Sequence, residues 1–331
     1  MIILTLVVIA VALWGLVWLM HQQRIKPAAP SVLFNEEQTE LAERLRRHVN
    51  MLAGTIGERN FWHFAGLEAA AEYIEARLEA SGLKVERQEY EVAQKRVRNL
   101  IVEIPGTDLA EEILLVGAHY DSASGSPGAN DNASGVAALL ELADHQGKKR
   151  FRRTLRLAAF TNEEPPFFKS RQMGSRLYAD RARARGDKIV GMICLETIGY
   201  YSQQSSSQNF PFPAMEFFYP EQGNFVAFVT NLSSRELLKQ SLAAFRRHSD
   251  FPSESLAAPA LLPGVDWSDH WAFWRAGYPA VMLTDTAPYR YRYYHSDADT
   301  PDKLSYPEFA RVVEGVVTMV DLLLNSGGER R

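Results

Sequence analysis

Imidazole and carboxylate side chains recur where short apolar runs of this chain end. His119 and Asp121 follow the run 113–117, Glu163 and Glu164 follow 155–160, Glu196 follows 189–195, and His295 lies downstream of 280–283. Nitrogen and oxygen donors without thiolate form the ligand set of hydrolytic zinc sites, and the single cysteine, Cys194, leaves no thiolate cluster to build. A carboxylate shared by two ions can hold them roughly 3.5–4 Å apart. Asp131 suits that role, because it sits in Pro127-Gly128-Ala129-Asn130-Asp131-Asn132-Ala133-Ser134-Gly135, a small-residue turn where backbone and carboxylate can approach a metal closely. Each feature alone has a plainer reading: His119 as a structural histidine, Glu163 and Glu164 as a solvated turn, Asp131 as a helix N-cap. Their joint placement argues for chemistry. Adjacent glutamates leave the backbone in different directions, so one can ligate while the other takes a proton from bound water and passes it to a leaving amine.

For these side chains to meet, the runs before them must be neighbouring strands. Unbroken apolar stretches at 113–117, 155–160, 189–195 and 280–283 suit strands covered on both faces. Alternation marks a strand at 84–92, and another spans 99–104. Apolar residues at helical spacing place helices at about 36–52, 66–80, 135–144, 174–183 and 306–324. The alternation of elements predicts a three-layer α/β/α fold with a mixed, mainly parallel central sheet, in which ligands bind beyond the carboxyl ends of the strands. One catalytic domain is expected over 35–327, with a polar loop at 202–208 and a short tail, 328–331.

Residues 1–20 carry no charge and are long enough at helical rise to cross a bilayer. They read as an uncleaved membrane anchor, and 21–34, with Pro27 and Pro30, as a linker. Arg24 and Lys26 just after the apolar run would face the cytoplasm by the positive-inside rule. A formal net charge of -4 offers no basic face for nucleic acid. The stretch from Tyr289 to Tyr294, with Arg290 and Arg292 interleaved, is read as the rim of a cleft rather than a nucleic-acid strip. His270 reads as structural, and Trp267, Trp271, Phe273 and Trp274 as a core-facing helix side. Cysteine usage does not fix the compartment, and oligomeric state is not legible.

From about residue 40 to 320 the chain resembles the co-catalytic di-zinc aminopeptidases of the MH clan, the relatives of leucyl aminopeptidase and aminopeptidase Y. Gly117-Ala118-His119-Tyr120-Asp121-Ser122 is similar to the first metal motif of that family, and Gly128 to Gly135 to its bridging-aspartate motif. Asn162-Glu163-Glu164 with Met173-Gly174-Ser175, Ser268-Asp269-His270, and His295 to Leu304 complete the series in order. The resemblance implies an aminopeptidase acting on peptides with two zinc ions. It implies that His119, Asp131 and Glu196 bind one ion and Asp131, Glu164 and His295 the other. Glu163 would be the general base, and Asp121 would orient His119 by accepting its second ring proton. It also implies a cis peptide at Asp131-Asn132 and a periplasmic or extracellular catalytic domain, opposite to the placement of Arg24 and Lys26. Many relatives have aspartate where Glu196 stands, so a longer arm must reach the metal here. Asp297 and Asp299 are candidates for supporting His295. Two rivals share the resemblance: a glutaminyl cyclase-like acyltransferase with one zinc, against which His119 speaks, and a non-catalytic binding ectodomain like that of the transferrin receptor.

Overall fold

A computed structural model describes residues 35–326. The expected anchor at 1–20, the linker and the tail lie outside the described residues, and among the described residues no helix is long and apolar enough to cross a membrane.

The chain opens with α1 (Glu36–Val49), started by a reciprocal cap in which Asn35 Oδ1 accepts from the Gln38 N–H and Gln38 Oε1 from the Asn35 N–H. After α2 (Phe64–Ala80) come β1 (Val85–Val92), β2 (Lys95–Ile104) and β3 (Leu109–His119), then α3 (Gly135–Gln146), β4 (Arg153–Phe160), α4 (Gly174–Arg185) and β5 (Lys188–Glu196). The second half adds β6 (Val226–Thr230), α5 (Arg235–His248), β7 (Ser253–Ala257), α6 (His270–Arg275), β8 (Ala280–Thr284), α7 (Ala287–Arg290) and α8 (Tyr306–Asn325). The strands form one sheet in the order β1-β2-β4-β3-β5-β8-β6-β7. Its centre, β4-β3-β5-β8, is parallel. β1, β2 and β4 pair antiparallel, as do β6 and β8, while β6 and β7 are parallel.

Alternation along the central strands feeds two cores. Leu114, Val116, Leu155, Leu157, Ile193, Leu195, Val281 and Leu283 pack with α1, α2, α3, α5 and α8. Ile113, Leu115, Phe160, Met192, Cys194 and Met282 face the other way, toward α4 and α6. Period-two side chains covered on both sides give the three layers expected. Sequence reading missed β6, β7 and α5. β7 reads Ser-Glu-Ser-Leu-Ala, with buried Ser253 and Glu254 on a strand that ends the sheet order, so no apolar run announces it. α5 did carry a signal, since Leu237, Leu238, Leu242 and Phe245 recur at helical spacing and are buried.

Register brings the exits together. His119 pairs with Phe160, three residues before Glu163, and Glu196 pairs with Thr284.

Candidate metal centre

His119 is the last residue of β3 and Glu196 the last of β5. Asn162, at a positive φ of 58°, turns the chain after β4 so that Glu163 and Glu164 leave it over the sheet end. Asp131 sits in the turn before α3, where the Asp131-Asn132 peptide is cis, and does not act as a helix cap. His295 comes from the loop after α7, itself at a positive φ of 55°.

The five side chains converge. His119 Nε2 lies 3.2 Å from Asp131 Oδ1 and 3.2 Å from Glu196 Oε2. His295 Nε2 lies 3.0 Å from Asp131 Oδ2 and 3.4 Å from Glu164 Oε2. Each oxygen of Asp131 therefore faces a different histidine. Two triads, His119-Asp131-Glu196 and Asp131-Glu164-His295, have donor atoms within 4.8 Å of one another; His119, Glu163 and Glu164 form a third such group. Glu196, the longer arm, comes within 3.2 Å of His119 Nε2, and Ser268 Oγ donates to its Oε2 at 2.6 Å.

Supporting groups fix this arrangement. His119 Nδ1 lies 3.1 Å from the Asp121 carbonyl and 3.6 Å from the Asp121 carboxylate. The carbonyl can only accept, so Nδ1 carries a proton and Nε2 is the nitrogen turned toward the acids, the one that would ligate an ion. The oxygens of the Asp121 carboxylate also accept the Glu163 and Glu164 N–H groups at 3.1 and 3.0 Å. Asp299 accepts the Asn130 and Asp131 N–H groups at 2.8 and 3.1 Å and the Tyr291 hydroxyl at 2.8 Å. Asp297, by contrast, is exposed.

Electrostatically the cluster is crowded with acid. Burial raises Glu163 well above the usual carboxylate range and lifts Glu164 to about 7, and Glu196 is raised for the same reason. Burial opposes the charged form of Asp131 as well, but the imidazoles of His119 and His295 beside it hold its carboxyl low. His295 is held up at about 10, its desolvation outweighed by Asp131 and Glu164. Asp131 Oδ1 and Glu164 Oε1 are buried without a hydrogen-bond donor. Such a set, all oxygen and imidazole nitrogen, fits divalent cations of the zinc type.

Tyr294 stacks on the His295 ring at 3.8 Å, and the charges of Asp131, Glu164, Glu196 and Glu163 add to burial in raising its hydroxyl pKa. It also lines, with Glu196, an apolar cavity of about 90 Å³ walled by Phe210, Met215, Phe225, Leu256 and Trp267. Trp267 thus belongs to this cavity and not to the core-facing side expected, whereas Phe273 is core. Tyr289 lines the same cavity, and Arg290 is buried and donates to Gln208 and the Phe225 carbonyl, as suits a cleft rim. His270 is buried and bonded to the Val265 carbonyl, and burial lowers its imidazole to about 4, in keeping with a structural role.

A three-layer fold with such a cluster beyond its parallel strands is the architecture of zinc-dependent peptide hydrolases. The chain belongs to peptidase family M28, whose profile matches residues 99–320. The Escherichia coli K12 protein YfbL is 39% identical over 286 residues, covering 84% of this chain and 87% of that protein. Among solved structures, BSAP, a zinc aminopeptidase from Bacillus subtilis, superimposes with a TM-score of 0.69 at 16% identity, over 86% of this chain and 95% of that one. Fimbriiglobus ruber glutaminyl cyclase does so with a TM-score of 0.64 at 22% identity, over 90% and 99%. These structural likenesses speak for the fold alone.

Proposed function

We propose that this zinc peptidase is an aminopeptidase with a co-catalytic pair of ions, cleaving N-terminal peptide bonds. The observation that carries the reading is Asp131, whose two oxygens face His119 and His295 separately at 3.2 and 3.0 Å. His119, Asp131 and Glu196 would hold one zinc, and Asp131, Glu164 and His295 the second. When bound, a zinc pair polarises the scissile carbonyl and lowers the pKa of water toward neutrality.

The chain's own groups supply the rest. Glu163 is the general base, taking a proton from the attacking water and returning it to the leaving amine. Its elevated proton affinity, caused first by burial, moves it toward the operating pH, where such a group works best. Tyr294, beside His295 and at the mouth of the apolar cavity, can donate its hydroxyl to the oxygen that gains charge during attack. The cavity accepts the N-terminal side chain and excludes water around the reacting bond. Residues 1–20 would tether the domain to a bilayer, with the domain on the periplasmic or extracellular side.

A one-zinc glutaminyl cyclase-like acyltransferase would leave the His119 and Glu196 pair, 3.2 Å apart, without a ligand role. A binding ectodomain would have no need of a complete set of donors. The test is a panel of aminoacyl-p-nitroanilides and an N-terminal glutaminyl peptide, assayed before chelation, after chelation and after zinc readdition. Chelator-sensitive, zinc-restored release of nitroaniline is expected. Cyclisation of the glutaminyl peptide without nitroaniline release would overturn the aminopeptidase reading.

A further inference from the structure

Arg59 precedes the span matched by the family profile, yet its side chain reaches beneath the metal centre. It is fully buried. Its guanidinium donates only to backbone carbonyls: Nε to Tyr120 at 2.8 Å, Nη1 to Gly57 at 3.2 Å, Leu52 at 3.5 Å and Pro127, and Nη2 to Gly128 at 2.7 Å. Its backbone is tied to the same loop, since the Arg59 N–H donates to Ser122 Oγ and the Ser122 N–H to the Arg59 carbonyl. No carboxylate forms an ion pair with it among the described residues. A buried cation is expensive without compensation, and here Asp299, Asp121, Asp131 and Glu164 act on it through space.

Two of its contacts are telling. Tyr120 follows His119 directly, and Gly128 lies three residues before Asp131. Gly128 has φ 62°, and a Cβ there would sit 2.3 Å from the Asp131 carbonyl and 3.1 Å from Arg59 Nη2, so the turn is packed against the guanidinium. The planar fork thus spans both loops that deliver donors to the shared site.

We infer that Arg59 is a positioning residue of the metal centre, holding the His119 and Asp131 loops at the separation that lets Asp131 serve both triads. It touches neither substrate nor ion. Lysine retains the charge but not the fork, so it cannot bind the loops together. The inference rests on the zinc-binding reading above.

The experiment compares wild type, Arg59→Lys and Arg59→Met by zinc titration against a chromophoric chelator, with melting temperatures of the chelated and zinc-loaded forms. Loss of a group supporting metal ligands weakens metal affinity by about 10- to 100-fold. That is the expected fall for Arg59→Met, with Arg59→Lys closer to Met than to wild type. The melting-temperature gain on adding zinc should shrink in parallel. A merely structural role would lower both melting temperatures equally and leave the affinity of folded protein unchanged, and that result would overturn the inference. If Arg59→Met yields no folded protein, Ser122→Ala loosens the same loop by removing the Ser122 Oγ bonds to Arg59 and Ser126. Weakened zinc binding in that variant supports the inference, and wild-type affinity overturns it. Should wild type hold a single zinc, the two-ion reading fails, and the role of Arg59 is still decided by the ratio of variant to wild-type affinity.

Discussion

Replacing Glu163 by glutamine isolates proton transfer from everything else in the centre. The substitution keeps the shape of the side chain and removes its basicity. Little else is at risk, because Asp121 holds this segment through the Glu163 peptide N–H, and the carboxylate stands 3.9 Å from His119 Nε2, beyond hydrogen-bond reach. Burial disfavours the Glu163 anion; His119 opposes that effect, while Glu164, Glu196 and Asp269 reinforce it. A neutral side chain is therefore tolerated at least as well, and the melting temperature of metal-free protein should hold or rise. A positioned general base contributes about 10²–10⁴-fold to rate, roughly 3–5 kcal/mol of barrier. The turnover number should fall by that factor while KM stays within about threefold, since no substrate contact is lost. The assay is steady-state hydrolysis of leucine p-nitroanilide, with zinc content measured by mass spectrometry on the same sample. Turnover within about tenfold of wild type, with zinc retained, would refute the role; loss of zinc in step with activity would make Glu163 a ligand.

Two further outcomes follow from the proton affinities. Ligands bind zinc only when deprotonated, and without metal His295 holds its proton to about pH 10 and Glu164 to about pH 7. Zinc affinity should thus rise with pH between 6 and 8.5, more steeply below 7 where Glu164 is protonated as well; a flat profile in chelator competition would contradict this. Asp285, buried and accepting from Asn130 Nδ2 and the Tyr200 N–H, is raised by desolvation from 3.8 to about 7. Because its folded pKa lies above the unfolded one, the folded state binds more protons across that window, so this group's contribution to stability falls as pH rises from about 4 to 7, by up to about 4 kcal/mol. Asp285→Asn keeps an acceptor and removes the titration, so urea unfolding of metal-free protein should show the variant gaining on wild type over those pH values; parallel curves would exclude it.

Much of the centre was legible because its donors sit where buried strands end. His119, Glu163, Glu164 and Glu196 each follow an apolar run, and apolar runs are what sequence shows best. His295 was legible through its place downstream of the run 280–283 and its motif, and Asp131 through its small-residue turn and motif. Ser268 fell in a motif and Tyr294 in the stretch read as a cleft rim, but their contacts, like those of Arg59, were not legible: they join Glu196, His295 and Gly128 across 72, 1 and 69 residues, and even the adjacent pair is defined by ring stacking that sequence does not encode. The approach of the Asp121 carbonyl to His119 Nδ1, beside the carboxylate, has the same origin, since only the folded backbone sets it. The cavity was illegible because its walls come from β6, β7 and the loops around them, including the two strands that sequence patterning missed.

The shared aspartate is tested most directly by a crystal structure of the zinc-loaded protein with anomalous data collected at the zinc edge. Two peaks flanking Asp131, one against His119 and Glu196 and the other against Glu164 and His295, are expected at roughly 3.5–4 Å separation. A single peak, or two that do not share Asp131, would contradict the co-catalytic centre.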